Sequence, residues 1–191
     1  SSPEWLEHPG SVGRAVEPFR VVVVDEDGND LAVEETGILA FEAPEGFGPT
    51  YHHDPEKTAK AYVRPGAFTL GDMGHVDENG FIFITDRMSD MVVSGGVNLY
   101  PSESENALRQ HPAVVDVAVI GIPHPDLHEQ LLALIVPADP AAAPSPAELE
   151  SFCRELISAY KIPRQYEFIS ELPRNEMQKV DKKALRRPYW D

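Results

Sequence analysis

Three groups of residues in this chain have types and spacings that could do chemistry. Asp72 stands beside Gly71 at the end of an apolar run, where a carboxylate can face a cleft with little steric cover. Its two oxygens can accept hydrogen bonds from a vicinal diol such as a ribose, although a turn aspartate would look the same. Arg87 closes the same unit one hairpin later, so the two could converge on one ligand. Ser94, Gly95 and Gly96 lie in the middle of MVVSGGVNLY. A glycine pair there lets the backbone take positive φ and lets a ligand approach without interference from a Cβ. The third group is basic. Residues 161–187 carry eight cationic side chains (Lys161, Arg164, Arg174, Lys179, Lys182, Lys183, Arg186, Arg187) against four acidic ones (Glu167, Glu171, Glu176, Asp181), which is half of the 16 Lys and Arg in the chain. Such a local field suits a small polyanion, and it equally makes a solvated helix face. From local chemistry alone, residues 86–105 also read as a β-hairpin entering a helix with nothing bound.

The elements that must position these groups follow from periodicity. Residues 21–24 and 37–41 are short β-branched or apolar runs, the first ending in the turn DEDG, and both read as strands. The following APEGFGPTYHHDPEKT is too rich in Gly, Pro and His for regular structure. His52 and His53 there could suggest a metal, but adjacent side chains on an extended chain point to opposite faces, so a surface loop is expected. From residue 67 apolar strands alternate with turns, and Asn79-Gly80 predicts a type I′ hairpin. Residues 92–99 predict two short strands joined across the glycine pair, and residues 101–110 a helix opened by Pro101 and stopped by His111-Pro112. Strands are expected over 114–120, 131–136 and 166–169, with 121–130 and the Pro/Ala-rich 137–146 as loops. Ser145, Pro146 and Glu148 give a helix start in capping-box register. Its apolar face includes Cys153, which reads as core packing. A last basic helix is expected over 181–187. The chain thus reads as α+β: a β-rich part over 1–88 and a small α+β part over 89–191, with residues 86–105 as the joint.

Composition narrows the function classes. With 191 residues and 42% hydrophobic content the chain can bury a core. A formal net charge of −16 argues against a general nucleic-acid or anionic-membrane binder. The single cysteine excludes an intramolecular disulfide framework or a multi-thiolate metal site, and no metal ligand set is expected. No run approaches the roughly 18 apolar residues of a membrane span, and a cytoplasmic setting is the natural expectation. The opening SSPEWLEHPG reads as a loop entered midway, as in the carboxyl-terminal part of something longer.

Three motifs in order give the chain a resemblance to the adenylate-forming (AMP-binding) superfamily of acyl-CoA synthetases, peptide adenylation domains and luciferases. TLGDMG resembles that family's Thr-Gly-Asp segment, DRMSDMVVSGGVNLYPSESE its hinge and glycine hairpin, and LPRNEMQKVDKKAL its catalytic-lysine motif. The resemblance covers essentially the whole chain and is greatest to fatty-acid and aromatic-acid CoA ligases. It implies a barrel-like end of a large amino-terminal domain followed by the whole small mobile domain, with the phosphate loop and most of the acyl pocket upstream. It implies a small-molecule carboxylic acid, Mg-ATP and CoA as reactants: an acyl-adenylate forms first, and after rotation of the small domain the CoA thiol takes the acyl group. By the same resemblance Lys179 is the catalytic lysine, Asp72, Ile84 and Arg87 contact the nucleotide, and Ser89 with Asp90 forms the hinge. Ser94, Gly95 and Gly96 line the pantetheine channel, while Arg164 and more weakly Lys161 meet a CoA phosphate. Two departures stand out. Ser89 replaces the usual Asp or Lys pivot, and Gln178 replaces the glycine before the lysine. An enzyme passing its acyl group to a carrier protein, or a non-catalytic CoA- or nucleotide-binding module, remain as alternatives.

Overall fold

The computed structural model describes residues 2–190, which fold as two compact units, 2–89 and 90–190. The first begins with a short helix α1 (Ser2–Glu7), where a loop was expected. Its strands are β1 (Gly13–Arg14), β2 (Arg20–Val24), β3 (Gly37–Glu42), β4 (Tyr62–Arg64), β5 (Ala67–Val76) and β6 (Phe81–Arg87). They form an antiparallel half-barrel sheet in the order β1-β6-β5-β3-β2, with β4 also on β5.

Three further sequence expectations in this unit need correction. Residues 55–58, read as irregular, open helix α2 (Pro55–Lys60). Asp54 accepts a hydrogen bond from the Lys57 amide and Pro55 opens the first turn, a start signal masked by the surrounding Gly and Pro. The β5–β6 turn is not type I′. Only Gly80 has positive φ, and the Gly80 amide bonds to the Asp77 carbonyl while Asp77 Oδ1 accepts from the Asn79 and Phe81 amides. This is a type I turn followed by a left-handed glycine, whose extra residue re-aims β6. His52 and His53 do not point apart: His53 has φ of 55°, so the segment is not extended, and the two exposed rings lie 3.8 Å apart. Among the described residues no third ligand-type side chain joins them.

A single 3-10 turn, Met88–Asp90, leads into the second unit. That unit contains the hairpin β7 (Val92–Ser94) and β8 (Val97–Leu99), helix α3 (Pro101–Leu108), the long hairpin β9 (Val114–His124) and β10 (His128–Pro137), helix α4 (Pro146–Arg154), strand β11 (Gln165–Phe168) and helix α5 (Lys182–Trp190). β10 is central, antiparallel to β9 and parallel to β11, and touches β7 at the His128–Ser94 pair. Residues 121–130 are therefore not a loop. Pro123 falls on β9, which pairs only with β10 among the described strands, so its missing N–H costs no ladder bond and only residues 125–127 turn.

Both faces of this sheet are buried, which explains the near-continuous apolar runs of β9 and β10. Val117, Val119, Leu131, Ala133 and Ile135 face α3 and α4, packing on Leu108, Leu149 and Cys153. The alternate residues Ala118, Ile120, Ile122, Leu132 and Leu134 pack on Leu172 and on Leu185 and Tyr189 of α5. Each fully buried Leu or Ile is worth about 1.5–3 kcal/mol. The Glu105 carboxylate, also buried, ties the layers together: it accepts from the Val119 amide at 2.9 Å, pairs with Lys182 Nζ at 2.8 Å and with Arg109 at 3.1 Å. No helix among the described residues is long and apolar enough to cross a membrane.

Burial pushes the Cys153 thiol up to about 11. Burial, with a hydrogen bond from the Tyr189 hydroxyl to Glu167, pushes that hydroxyl up to about 12. Both fold best in their neutral forms, so their contribution is complete below the ordinary values of 9.0 and 10.0 and is lost as pH rises through the raised ones. Urea midpoints measured against pH should therefore fall above about pH 9. Iodoacetamide at pH 8 should label Cys153 only once urea has unfolded the protein.

Candidate functional site

In the first unit β5 and β6 bring Asp72 and Arg87 together as a cross-strand pair. Arg87 Nε lies 2.9 Å from Asp72 Oδ1, and its Nη1 donates to the Leu70 carbonyl at 3.4 Å. The arginine is more exposed than the aspartate, 58% against 16%, so the pair offers a cationic rim beside a carboxylate whose second oxygen has no partner among the described residues. That oxygen keeps the capacity to accept from a diol. Ile84 pairs with Gly74 across the same two strands and leaves its side chain 47% exposed, an apolar surface on the strand that carries Arg87.

Ser89 and Asp90 lie in the 3-10 turn at the end of the first unit and the start of the second. Asp90 is held by α5: Arg186 Nη2 reaches both its Oδ1 and its carbonyl at 3.2 Å.

In the second unit the β7–β8 turn has φ of 58° at Gly95 and 82° at Gly96, the geometry of a type I′ turn. Gly95 donates its amide to the Leu127 carbonyl at 2.9 Å, so the tip of the β9–β10 hairpin fixes the glycine turn. That tip is shaped by His124, whose Nδ1 accepts from the Asp126 and Leu127 amides. The turn borders a cavity of about 180 Å³ lined by Ser94, Gly95, Leu127, Tyr160 and Arg164 among others. The Arg164 guanidinium has no partner among the described residues. Gly96 and Lys161 do not line the cavity. Lys161 instead pairs with Glu103 at the start of α3, and its carbonyl accepts from Ser104 Oγ at 2.6 Å.

Lys179 is exposed in a loop closed by the Arg174–Val180 bridge, and its ammonium has no partner among the described residues. The preceding Gln178 has φ of 62°, the left-handed conformation a glycine would adopt freely, at a cost of about 1–2 kcal/mol. Leu127 and Tyr160 escaped the sequence reading. Leu127 reaches the cavity only because residues 125–127 form a tight turn, and nothing local marked Tyr160 as different from a surface tyrosine.

Residues 103–179 match the family model described as the AMP-binding enzyme C-terminal domain. The chain belongs to the adenylate-forming superfamily. The 2-succinylbenzoate–CoA ligase of Geobacillus kaustophilus is 37% identical over 97% of this chain and 37% of its own length. A fatty acid–[acyl-carrier-protein] ligase, ScoC, of Streptomyces coeruleorubidus is 36% identical over 94% of this chain and 34% of its own length. The crystal structure of ATP-bound MatB from Rhodopseudomonas palustris superposes with a TM-score of 0.83 at 36% identity, covering 96% of this chain and 36% of that one. The chain thus spans little more than a third of these adenylate-forming relatives.

A Cβ at Gly95 would lie 3.2 Å from Leu127 Cδ2, whereas at Gly96 it would meet nothing within 4 Å. Gly95→Val should therefore lower unfolding free energy by about 1–2 kcal/mol, and Gly96→Asn, which tolerates positive φ, by less than about 1. Urea titrations of the two variants check the order.

Proposed function

We propose that this chain is the carboxyl-terminal part of an ATP-dependent acid:CoA ligase. In that enzyme the carboxylate of an acid displaces pyrophosphate from Mg-ATP, and the CoA thiol then displaces AMP from the acyl-adenylate. The observation that carries the proposal is the groove where the left-handed glycine turn, Ser94 and the unpaired Arg164 meet. A thin pantetheine arm needs such a Cβ-free wall, and the 3′-phosphate of CoA needs a guanidinium at its end. Lys161, already paired with Glu103, is the weaker phosphate partner of the two.

Residues 1–88 serve as the end of the large nucleotide-binding domain and residues 89–191 as the small mobile one. Asp72 accepts from the ribose hydroxyls and Arg87 steadies it while adding positive charge, with Ile84 packed near the nucleoside. Magnesium enters on the phosphates of ATP, as part of the substrate. Lys179 supplies a mobile point charge where negative charge builds on the phosphate and carboxylate oxygens. Ser89 and Asp90 form the pivot, and serine suffices there because a hinge needs tolerance of φ/ψ change rather than a charge. The buried, neutral Cys153 suits a reducing cytoplasmic setting. A second reading, transfer of the acyl group to a carrier-protein thiol, is favoured by the similarity to ScoC. Formation of acyl-AMP without thioester on free CoA selects it.

In the full-length protein Lys179→Ala should slow pyrophosphate release by about 10²–10³-fold. Thioester formation from presynthesised acyl-adenylate should stay within about twofold. An unchanged adenylation rate sinks the role of Lys179. The 191-residue chain alone should release no pyrophosphate with any acid, and turnover by it refutes that expectation.

A further inference from the structure

We infer that Asp116 and Arg174 are positioning residues for Lys179, holding the loop that presents it; this rests on the adenylation role proposed for Lys179. The loop is a closed turn. The Asp181 amide donates to the Pro173 carbonyl at 2.8 Å, the Asn175 amide to the Lys179 carbonyl at 2.8 Å, and Asn175 Oδ1 accepts from the Met177 and Lys179 amides at 3.0 Å. These bonds are all internal to the loop, so by themselves they fix its shape and not its place on the sheet.

Leu172 and Val180 seat the two ends of the loop on the sheet, and Arg174 ties down its middle. Its Nη1 donates to the Gln178 carbonyl at 2.8 Å, and its Nη2 to Asp116 Oδ2 at 2.5 Å. Asp116 is itself fixed on β9, because its Oδ1 accepts from the Val117 amide at 2.9 Å. A rigid path therefore runs from the sheet, through one carboxylate and one guanidinium, to the peptide group that joins Gln178 to Lys179. The planar guanidinium can serve both ends at once; an ammonium is a point charge and cannot fork in this way. Gln178 is the residue in the left-handed conformation, so the path grips the loop where its backbone is least at ease. Because the Lys179 side chain has no partner among the described residues, only its backbone sets where the ammonium can reach. The Asp116–Arg174 pair is partly exposed, 27% and 41%, so breaking it spares the fold.

The test uses Asp116→Ala and Arg174→Lys in the full-length protein, with Lys179→Ala as reference. Adenylation should fall about 10- to 100-fold in both variants, and thioester formation from presynthesised acyl-adenylate should stay within about twofold. A global loss of structure would lower both half-reactions together, and that result overturns the inference. Hydrogen exchange of the Met177 and Lys179 amides reads the clamp without reference to catalysis and should quicken by about tenfold or more. Unchanged exchange overturns the inference whatever the rates do. Quickened exchange with normal adenylation overturns it too, provided Lys179→Ala is slow. If Lys179→Ala is also normal, the proposed role of Lys179 has failed instead, and quickened exchange still supports the clamp.

Discussion

The second unit depends on one buried carboxylate. Glu105 projects from α3 into the seam between the two apolar layers, where an unpaired charge would cost several kcal/mol. It is stable there because the Val119 amide, Lys182 and Arg109 meet its oxygens. Those partners come from β9, from the start of α5 and from the end of α3. The same contact therefore sets the angle of α3 behind the glycine hairpin and the starting point of α5 just after the Lys179 loop. Replacing the carboxylate with an apolar side chain would strand Lys182 and the Val119 amide together.

Around this point the basic segment takes on a different meaning from the one its composition suggests. Several of its eight cations are internal partners: Lys161 with Glu103, Arg174 with Asp116, Lys182 with Glu105 and Arg186 with Asp90. The segment is therefore less a field for a polyanion than a set of rivets between α5, its preceding loop and the sheet. Arg164, Lys179 and Lys183 stand apart from that pattern, exposed and without a partner among the described residues. Their unpaired exposure on an acidic protein is the electrostatic feature that a phosphate or carboxylate ligand can use.

Much of this was legible in the sequence because local signals and burial agree. The Gly95-Gly96 turn, the Ser145 cap and the apolar runs of the central strands each need only their own residues to be understood. That Asp72 and Arg87 converge could be read from their places in one hairpin, although the register shift between Met73 and Gly74 is what sets them opposite each other. What escaped was set at longer range. The 121–130 segment looks like a loop by its prolines and histidines, yet β10 recruits it into a hairpin whose tip seats Leu127 on Gly95. The Asp116–Arg174 contact joins residues 58 apart in the chain, and no periodicity reports it. The turn at Asn79-Gly80 failed as type I′ because the Asp77 carboxylate captures two amides and tightens the bend one residue earlier.

Under the proposed function, two parts of one small unit divide the labour, Lys179 acting while the adenylate forms and the glycine turn while the thiol enters. The most direct measurement is the pair of half-reaction rates for Gly95→Val in the full-length protein. Its Cβ crowds Leu127 at the cavity wall and lies far in sequence from the lysine loop. Adenylation should stay within about twofold of wild type, and thioester formation from presynthesised acyl-adenylate should fall about 100-fold. Equal loss in both halves, or loss confined to adenylation, contradicts that division.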